Sequence, residues 1–184
     1  MLKVVLLLCY ILSVQTVEAK TNANSKVRNS LIDAIVLHSI GGPYCENGEV
    51  RYSGAPGDAN RWRIFFERHK VLGIHYIVDR KGLVVSSIAE NAVANHALGW
   101  NERSVGIELV NDGDGNDRVT RRQWLALHRL VGRLIKRYSA ITVDRVFRHS
   151  DIDKRTFKCA GKEIKQKQDP GLSFDYERFV ESLR

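Results

Sequence analysis

Two histidines and one aspartate stand at positions that suit a catalytic metal site. His38 lies near the end of the apolar run AIVLHS, His149 follows the run VDRVFR, and Asp169 lies in KQDPG, where proline restricts the backbone. Two imidazoles and one carboxylate, with a fourth position left to water, form a common catalytic zinc shell. Zinc lowers the pKa of bound water to about 7 and polarises a carbonyl, so this residue set predicts hydrolytic chemistry.

The spacing of these three residues does not by itself establish a site. They are far apart in the chain, unlike a compact zinc motif such as His-Glu-x-x-His. A single histidine at a strand end more often makes only a hydrogen bond, and an aspartate before Pro-Gly commonly caps a turn. A metal centre therefore requires a fold that brings three distant segments together.

The segments around these residues predict strands. Ile32–Ser39 and Ser104–Val110 are short apolar runs followed by turn signals, which is typical of buried strands. The runs IHYIVD and LVVSSI are separated by Arg80-Lys81-Gly82 and predict a hairpin. A further strand is expected near Val143–Phe147, directly before His149.

Helical spacing predicts the remaining elements. ANRWRIFFERHKV forms one helix, with its aromatic residues on or near one face. A longer helix begins at Thr120 and repeats apolar residues at Trp124, Leu127, Val131, Leu134 and Tyr138. SFDYERFVESL predicts a short closing helix capped by Ser173 or Asp175.

Strands that alternate with helices predict an α/β fold. We expect a single domain with a central mixed β-sheet flanked by helices, since the hairpin adds an antiparallel strand. The segment from Tyr44 to Asp58 and the polar stretch that ends near Leu172 are expected to be surface loops. Active residues would gather at strand ends and in adjoining loops.

Five segments, taken in order, resemble the N-acetylmuramoyl-L-alanine amidase family. They are AIVLHS, GIHYIVDRKG, AVANHALGWNERSVGIELVN, FRHSDI and KQDPGLSFD. The resemblance runs from Ile32 to Phe179, and five segments in the family's order are more specific than any one of them. The family includes phage lysozyme-type amidases, cytoplasmic anhydromuramyl-peptide amidases and animal peptidoglycan-recognition proteins. The fold expected above matches this amidase and peptidoglycan-recognition architecture.

The resemblance implies an activity and a set of site residues. Zinc (Zn2+) is expected at His38, His149 and Asp169, and the substrate bond is the amide between N-acetylmuramic acid and L-alanine in peptidoglycan or its fragments. The acid at Glu108 is expected to help activate the attacking water, and Lys167 to stabilise the oxygen that becomes negative in the tetrahedral intermediate. Both roles are chemically sound, since a nearby carboxylate can move protons and a fixed cation stabilises an oxyanion.

Glu108 and Lys167 also have simpler interpretations. Glu108 could be a surface acid on an edge strand, although a carboxylate between Ile107 and Leu109 favours catalysis. Lys167 lies in a run rich in lysine and glutamine and could be solvated. The phage branch lacks the acid and uses a tyrosine at the position of Ile74, so this sequence resembles the branch that uses glutamate.

The resemblance further implies a substrate groove. His96, in ANHALGW, matches a histidine of that groove and with Trp100 is expected to contact sugar or peptide. His75 matches a family histidine that does not bind the metal. We expect His75 to be buried and either to support the fold around the site or to contact one of the metal ligands. His69 and His128 lie on predicted helices and have no assigned role.

Cys45 and Cys159 are the two cysteines outside the predicted leader described below. An even pair in an exported protein can form a disulfide or remain as two thiols. The stretch from His149 to Asp169 is longer than in cytoplasmic and phage members, and Cys159 lies in this insertion. Either Cys159 pairs with Cys45, or it replaces Asp169 as the third ligand, as in some relatives. The Lys-x-Asp-Pro pattern favours Asp169.

Residues 1–19 predict a secretory signal peptide. Lys3 precedes an apolar run from Val4 to Val14, and Val17-Glu18-Ala19 offers a cleavage site. The run is short for a bilayer span; an N-terminal core strand or an uncleaved anchor are the alternatives. Cys9 lies inside the apolar run, which disfavours lipidation.

The length of 184 residues suits one domain. Residues 20–30 are polar and are expected to form a loose lead-in, and residues 31–184 to form the amidase catalytic domain. The predicted export places the protein in the periplasm or outside the cell, with no stable membrane anchor after cleavage. A monomer is the default expectation.

The formal net charge of +8 suits an anionic partner without identifying it. Export and the lack of aromatic-rich basic clusters argue against nucleic acid as the partner. The helix that begins at Thr120 carries a basic face, more typical of solvation than of nucleic-acid reading. A non-catalytic peptidoglycan-binding module is the main alternative, typical of family members that have lost the third ligand.

Overall fold

The computed structural model describes residues 26–184. The predicted signal peptide, residues 1–19, and the first part of the lead-in lie outside the described residues. In chain order the elements are β1 (Ala34–Ser39), β2 (Pro43–Glu46), β3 (Glu49–Tyr52), α1 (Ala59–Arg68), β4 (Tyr76–Val78), β5 (Val84–Ser86), β6 (Ser104–Leu109), α2 (Arg121–Arg137), β7 (Val146–Arg148), α3 (His149–Ile152), β8 (Thr156–Cys159), β9 (Lys162–Lys165) and α4 (Tyr176–Glu181).

Five strands form the central sheet, in the order β5-β4-β6-β1-β7. β4, β6, β1 and β7 run parallel, and β5 pairs antiparallel with β4 through the predicted hairpin. Every residue of β1 is buried, as expected for a strand in the middle of a sheet that helices cover on both faces. The expected mixed sheet is confirmed.

Helices pack on both faces of this sheet. α2 lies against one face and is capped by Thr120, whose side chain accepts a hydrogen bond from the Gln123 amide. Its apolar side joins the larger core, which includes Leu37, Ile107, Leu109, Leu127, Val131, Leu134 and Phe179. α1 belongs to a second core on the other face, with Phe66 buried beside Ile74 and Ile77. The predicted flanking helices are confirmed.

Two regions expected to be loops contain hairpins. Within 44–58, β2 and β3 are joined by Asn47-Gly48, both with positive φ, of 52° and 79°. Asn-Gly is the preferred dipeptide of a two-residue hairpin turn, so the sequence carried a signal that the loop prediction missed. In the polar stretch, β8 and β9 are joined by Ala160-Gly161, again with positive φ, and α3 follows β7 directly.

The late strand is shorter than predicted. Residues Val143–Arg145 form a 3₁₀ turn, and β7 occupies only Val146–Arg148. The closing helix is confirmed, and Asp175 is its cap, since its side chain accepts from the Arg178 amide. Pairing of β7 with β1 places His149 beside the end of β1.

The described part of the lead-in is attached to the domain, which corrects the expectation of a loose segment for residues 26–30. Val27 forms a bridge with Ala92. The half-buried Arg28 guanidinium donates to four backbone carbonyls, those of Glu90, Ala92, Asn101 and Ser104, at 3.0–3.1 Å. A guanidinium with several donors in a fixed plane suits such a carbonyl cluster. Arg28 therefore fastens this segment to the loop between β5 and β6.

The basic residues of α2 point away from the sheet. Exposed side chains on this helix are Arg121, Arg122, Arg129, Arg133, Lys136 and Arg137. This exposure agrees with a solvated face. Among the helices of residues 26–184, none combines the length and apolar character that a membrane crossing requires.

A disulfide bond joins Cys45 in β2 to Cys159 in β8, with 5.5 Å between their Cα atoms. Of the two alternatives that the sequence left open for Cys159, the structure shows the pairing with Cys45, and the alternative in which Cys159 replaces Asp169 as a ligand is wrong because its sulfur is already bonded. The bond fastens the β2–β3 hairpin to the β8–β9 hairpin across 114 residues of sequence.

Replacing both cysteines with serine is expected to lower the free energy of unfolding by about 2–4 kcal/mol, because a cross-link over a long loop restricts the unfolded chain. Guanidinium denaturation of the variant and the oxidised wild type measures this difference. Reductant provides the control, since it should bring the wild type to the variant's midpoint and leave the variant unchanged. Equal midpoints for variant and oxidised wild type would show that the bond does not stabilise the fold.

Candidate metal centre

Three side-chain atoms from distant segments converge at one end of the sheet. His38 Nδ1 lies 3.0 Å from His149 Nδ1 and 3.0 Å from Asp169 Oδ2, and His149 Nδ1 lies 2.9 Å from the same oxygen. All three residues are buried. Among the described residues, this is the one group of three or more potential ligands close enough to share an ion.

The triangle fits a metal ion. Tetrahedral zinc with bonds of about 2.0 Å separates its ligands by about 3.3 Å, so these atoms need to move apart by only a few tenths of an ångström. Two ring nitrogens that face each other beside a carboxylate oxygen repel unless a proton or a cation lies between them. Nitrogen and oxygen donors in this mixture suit zinc among the common divalent ions.

The fold places each ligand by a different element. His38 lies next to the end of β1, and His149 is the first residue of α3, directly after the neighbouring strand β7. Asp169 is held from both sides: its carbonyl accepts from the Ser150 amide at 3.2 Å, and the preceding Gln168 accepts from the Tyr52 hydroxyl at 2.6 Å. The chain therefore returns to the candidate metal site 20 residues after His149.

The ionisation of the ligands favours metal binding. Burial lowers the pKa of His38 to about 4, so its imidazole is neutral near pH 7. Burial acts to raise the pKa of the Asp169 carboxyl, but His149 and His38 beside it hold that pKa well below its usual range. A neutral imidazole and an ionised carboxylate are the forms that bind a metal, so these two need not lose a proton first.

Glu108 lies beside the metal ligands because of strand register. It is paired with His38 across β6 and β1, and paired residues of neighbouring strands point to the same face of a sheet. Its Oε2 is buried with no hydrogen-bond partner among the described residues. Burial, and then the charge of Asp169, raises the pKa of Glu108 well above its usual value, while Lys167 lowers it. The carboxyl therefore keeps its proton to a higher pH than an exposed glutamate does.

Lys167 lines the same groove as Glu108 and the three ligands, and its side chain is partly exposed. Its charge acts on both Glu108 and His38. It lies close enough to influence the site, as the role of an oxyanion-stabilising cation requires.

The two residues expected to contact substrate lie in different surroundings. His96 lines the groove, with its Nδ1 3.0 Å from His38 Nε2. Trp100 is not among the groove residues; its ring packs against Phe147, and the Arg103 guanidinium lies over it. The structure therefore brings His96 to the metal centre and leaves the Trp100 side chain outside the groove.

His75 supports the site from behind. It is fully buried; its Nδ1 accepts from the Gly106 amide at 3.0 Å, and its Nε2 lies 3.2 Å from the Ala92 carbonyl. Burial, with the charge of Arg28, lowers the pKa of His75 to about 3. The expected role as buried support agrees with these contacts.

A groove of about 590 Å³ opens over the metal centre. Its walls contain residues for which the sequence predicts no site role. Trp62, Phe65 and Phe66 of α1 form an aromatic wall, and Phe65 remains 42% exposed. The helical spacing had grouped these three residues, but spacing alone does not separate a core face from a groove wall. Tyr44, in the β2–β3 hairpin, lines the groove as well.

Comparisons with known proteins agree with this arrangement. The family description "N-acetylmuramoyl-L-alanine amidase" matches residues 28–172. The curated protein 1,6-anhydro-N-acetylmuramyl-L-alanine amidase AmpD of Haemophilus influenzae is 30% identical over 118 residues, which cover 60% of this chain and 58% of that protein. This chain thus matches less than two thirds of that relative.

Solved structures show the same fold. N-acetylmuramoyl-L-alanine amidase LysC from Clostridium intestinale URNW superposes with a TM-score of 0.63 at 24% identity, covering 91% of this chain and 95% of that one. A selenomethionine derivative of AmpD gives a TM-score of 0.61 at 23% identity, covering 92% and 96%. Since the family match extends over most of the chain and includes all three converging ligands, the protein belongs to the N-acetylmuramoyl-L-alanine amidase family.

Proposed function

We propose that this protein hydrolyses the amide bond between N-acetylmuramic acid and L-alanine in peptidoglycan or its fragments, with zinc at His38, His149 and Asp169. The observation that carries the proposal is the convergence of these three buried ligand atoms within 3.0 Å of one another, beside a buried carboxyl in a groove. Membership of the amidase family supports the choice of bond.

The residues supply the parts that amide hydrolysis needs. Bound zinc would polarise the carbonyl and lower the pKa of a water to about 7. Glu108 accepts a proton from the attacking water and passes it to the L-alanine nitrogen as the carbon–nitrogen bond breaks. This proton transfer contributes about 100- to 10,000-fold to the rate.

The charge that develops during this reaction lies on the carbonyl oxygen. The Lys167 ammonium group stabilises that charge electrostatically, because it is already in place when the tetrahedral intermediate forms. The products are a free carboxylate on the muramic acid and a peptide with a free L-alanine amine. We further propose that residues 1–19 direct export to the periplasm or the medium. Mass spectrometry of the exported protein is expected to give a mature chain that starts at Lys20, and a chain that still starts at Met1 would contradict this proposal.

Digestion of peptidoglycan tests the proposed activity. We expect mass spectrometry of intact sacculi and of soluble muropeptides, each treated with the protein, to show peptides that begin with free L-alanine in at least one of the two. A chelator should abolish this release, and added zinc should restore it. The two substrates distinguish a wall-cleaving enzyme from one that processes fragments.

The same experiment separates the enzyme from a recognition module. Binding to sacculi without bound zinc and without released peptide would contradict the proposed function. The presence of all three ligands argues against that alternative, since metal-free recognition does not require them.

A further inference from the structure

We propose that His96 is a positioning residue, which with Ser104 and the Trp100 carbonyl fixes the His38 imidazole in the tautomer that can bind a metal through Nδ1. This inference rests on the proposed metal centre and adds a residue chain behind one of its ligands. It assigns His96 a role different from the substrate contact expected from sequence.

The Trp100 carbonyl determines which atom donates in each hydrogen bond of this chain. Ser104 Oγ lies 2.7 Å from the Trp100 carbonyl oxygen. A carbonyl oxygen only accepts, so the Ser104 hydroxyl must donate its single proton there. Ser104 Oγ can then act towards any other neighbour only as an acceptor.

The next link is the His96 ring. His96 Nε2 lies 3.3 Å from Ser104 Oγ, and since that oxygen can only accept, Nε2 must carry the proton. A neutral imidazole carries one proton, so His96 Nδ1 presents a lone pair. This lone pair faces His38 Nε2 at 3.0 Å, which must therefore carry the proton of the His38 ring.

The last link is the metal ligand atom. With its proton on Nε2, His38 has a lone pair on Nδ1, the atom that lies 3.0 Å from both His149 Nδ1 and Asp169 Oδ2. In the metal-free protein the proton that separates these lone pairs can lie on His149 Nδ1, which is 2.9 Å from Asp169 Oδ2. The chain of donors thus sets the metal-binding tautomer of His38 before any ion arrives. Partners of this kind behind a metal-binding histidine orient the ring and increase its basicity.

The backbone around His96 is built to hold this ring. A Cβ at Gly106 would lie 2.6 Å from His96 Cγ, so the ring sits in space that only glycine leaves free. Asn101 Oδ1 accepts from the amides of His96 and Ala97 at 2.9 and 2.7 Å, which fixes the loop. Both ring nitrogens of His96 have protein partners, which leaves neither for hydrogen bonding to a sugar or peptide.

The second histidine ligand is not held in this way. His149 Nε2 has no hydrogen-bond partner among the described residues, and the nearest carboxylate oxygen, on Asp153, lies 3.7 Å away. The chain of donors therefore acts on His38 specifically. Substitutions at His96 should change the metal site through that ligand.

Long-range ¹H–¹⁵N correlation spectra of the purified, histidine-labelled protein report the tautomer of each ring. We expect His38 and His96 to be protonated at Nε2 in the metal-free wild type and to keep that pattern on addition of zinc. Single histidine substitutions assign the signals. A proton on Nδ1 of His96 would overturn the proposal without reference to any variant or to activity.

Zinc affinity, measured by competition with a chelator, gives the second readout. His96→Leu removes the acceptor and is expected to weaken zinc binding by about 10- to 100-fold. His96→Asn offers an amide oxygen near the position of Nδ1 and should stay within about 3-fold of the wild type. Ser104→Ala should shift the His96 ring towards a mixture of tautomers.

The outcomes separate this inference from the proposed function. A protein that shows the expected tautomers and affinity order but releases no peptide would contradict the amidase proposal and leave the positioning role intact. Conversely, His96→Leu with unchanged zinc affinity and a raised KM would identify His96 as a substrate contact and overturn the inference. If His96→Leu does not fold, the tautomers of the wild type and the zinc affinity of His96→Asn still test the positioning role of His96.

Discussion

His149→Ala is expected to lose bound zinc and hydrolysis together. The substitution removes one corner of the ligand triangle and leaves a buried carboxylate, Asp169, facing a single imidazole. With only two protein ligands the zinc content should fall from about one ion per chain to near zero, and the rate should fall at least about 1,000-fold, since metal polarisation contributes several kcal/mol to such reactions. Elemental analysis and peptide release from muropeptides measure the two effects on one preparation.

His128→Ala provides the matched control. His128 lies on α2, where its Nε2 is 2.8 Å from the Ser182 carbonyl, away from the groove. This variant should keep both zinc and activity, which shows that loss of a histidine as such is harmless. An active, zinc-replete His149→Ala would require a different metal site and would refute the ligand assignment.

Glu108→Gln is expected to separate metal binding from catalysis. Glutamine has nearly the same shape but cannot accept the proton of the attacking water. The variant should therefore keep its zinc and lose about 100- to 10,000-fold in kcat, with little change in KM. Glu102→Gln, which alters an exposed ion pair with Lys26, should retain full activity. Full turnover by Glu108→Gln would show that another group moves the proton.

The same variant has a pH signature that does not depend on activity. Burial, then Asp169, raises the pKa of Glu108 in the folded protein above its unfolded value. Ionisation of this group therefore favours unfolding, and the metal-free wild type should lose stability as pH rises from about 4.5 through the raised pKa. Glu108→Gln should lack this decline. Denaturation midpoints of the two metal-free proteins between pH 5 and 8, roughly, measure the difference.

The elements that position the site could be read from the sequence because strong local patterns predict them. The segments that form β1 and β6 are almost continuously apolar, which is typical of strands buried on both faces. The hydroxyl of Thr120 caps α2. The candidate metal ligands could be identified from residue type, from the positions of His38 and His149 at strand ends, and from the resemblance of the flanking segments. Their convergence itself depends on contacts between residues more than 100 positions apart, such as His38 and His149.

The roles of some residues could not be predicted from the sequence, because they depend on contacts between distant segments that local sequence patterns do not show. Arg28 looks like one more charge in a polar stretch, and its role depends on four carbonyls that only the fold brings together. Phe65 has the spacing of a core residue, yet it faces a groove. The family resemblance grouped Trp100 with His96 as substrate contacts, whereas the fold packs the Trp100 ring against Phe147 and places the His96 ring beside His38.

The pairing of His38 with Glu108 across β1 and β6 has a consequence for how this enzyme could diversify. The spacing of Glu108 and His38 is set by the register of the sheet, whereas Tyr44 and Phe65, which line the groove, belong to a hairpin and a helix. Substitutions at the groove-lining residues could therefore change which substrates fit. The spacing of Glu108 and His38 would stay the same. The shape of the groove and the pairing of Glu108 with His38 therefore depend on separate parts of the chain.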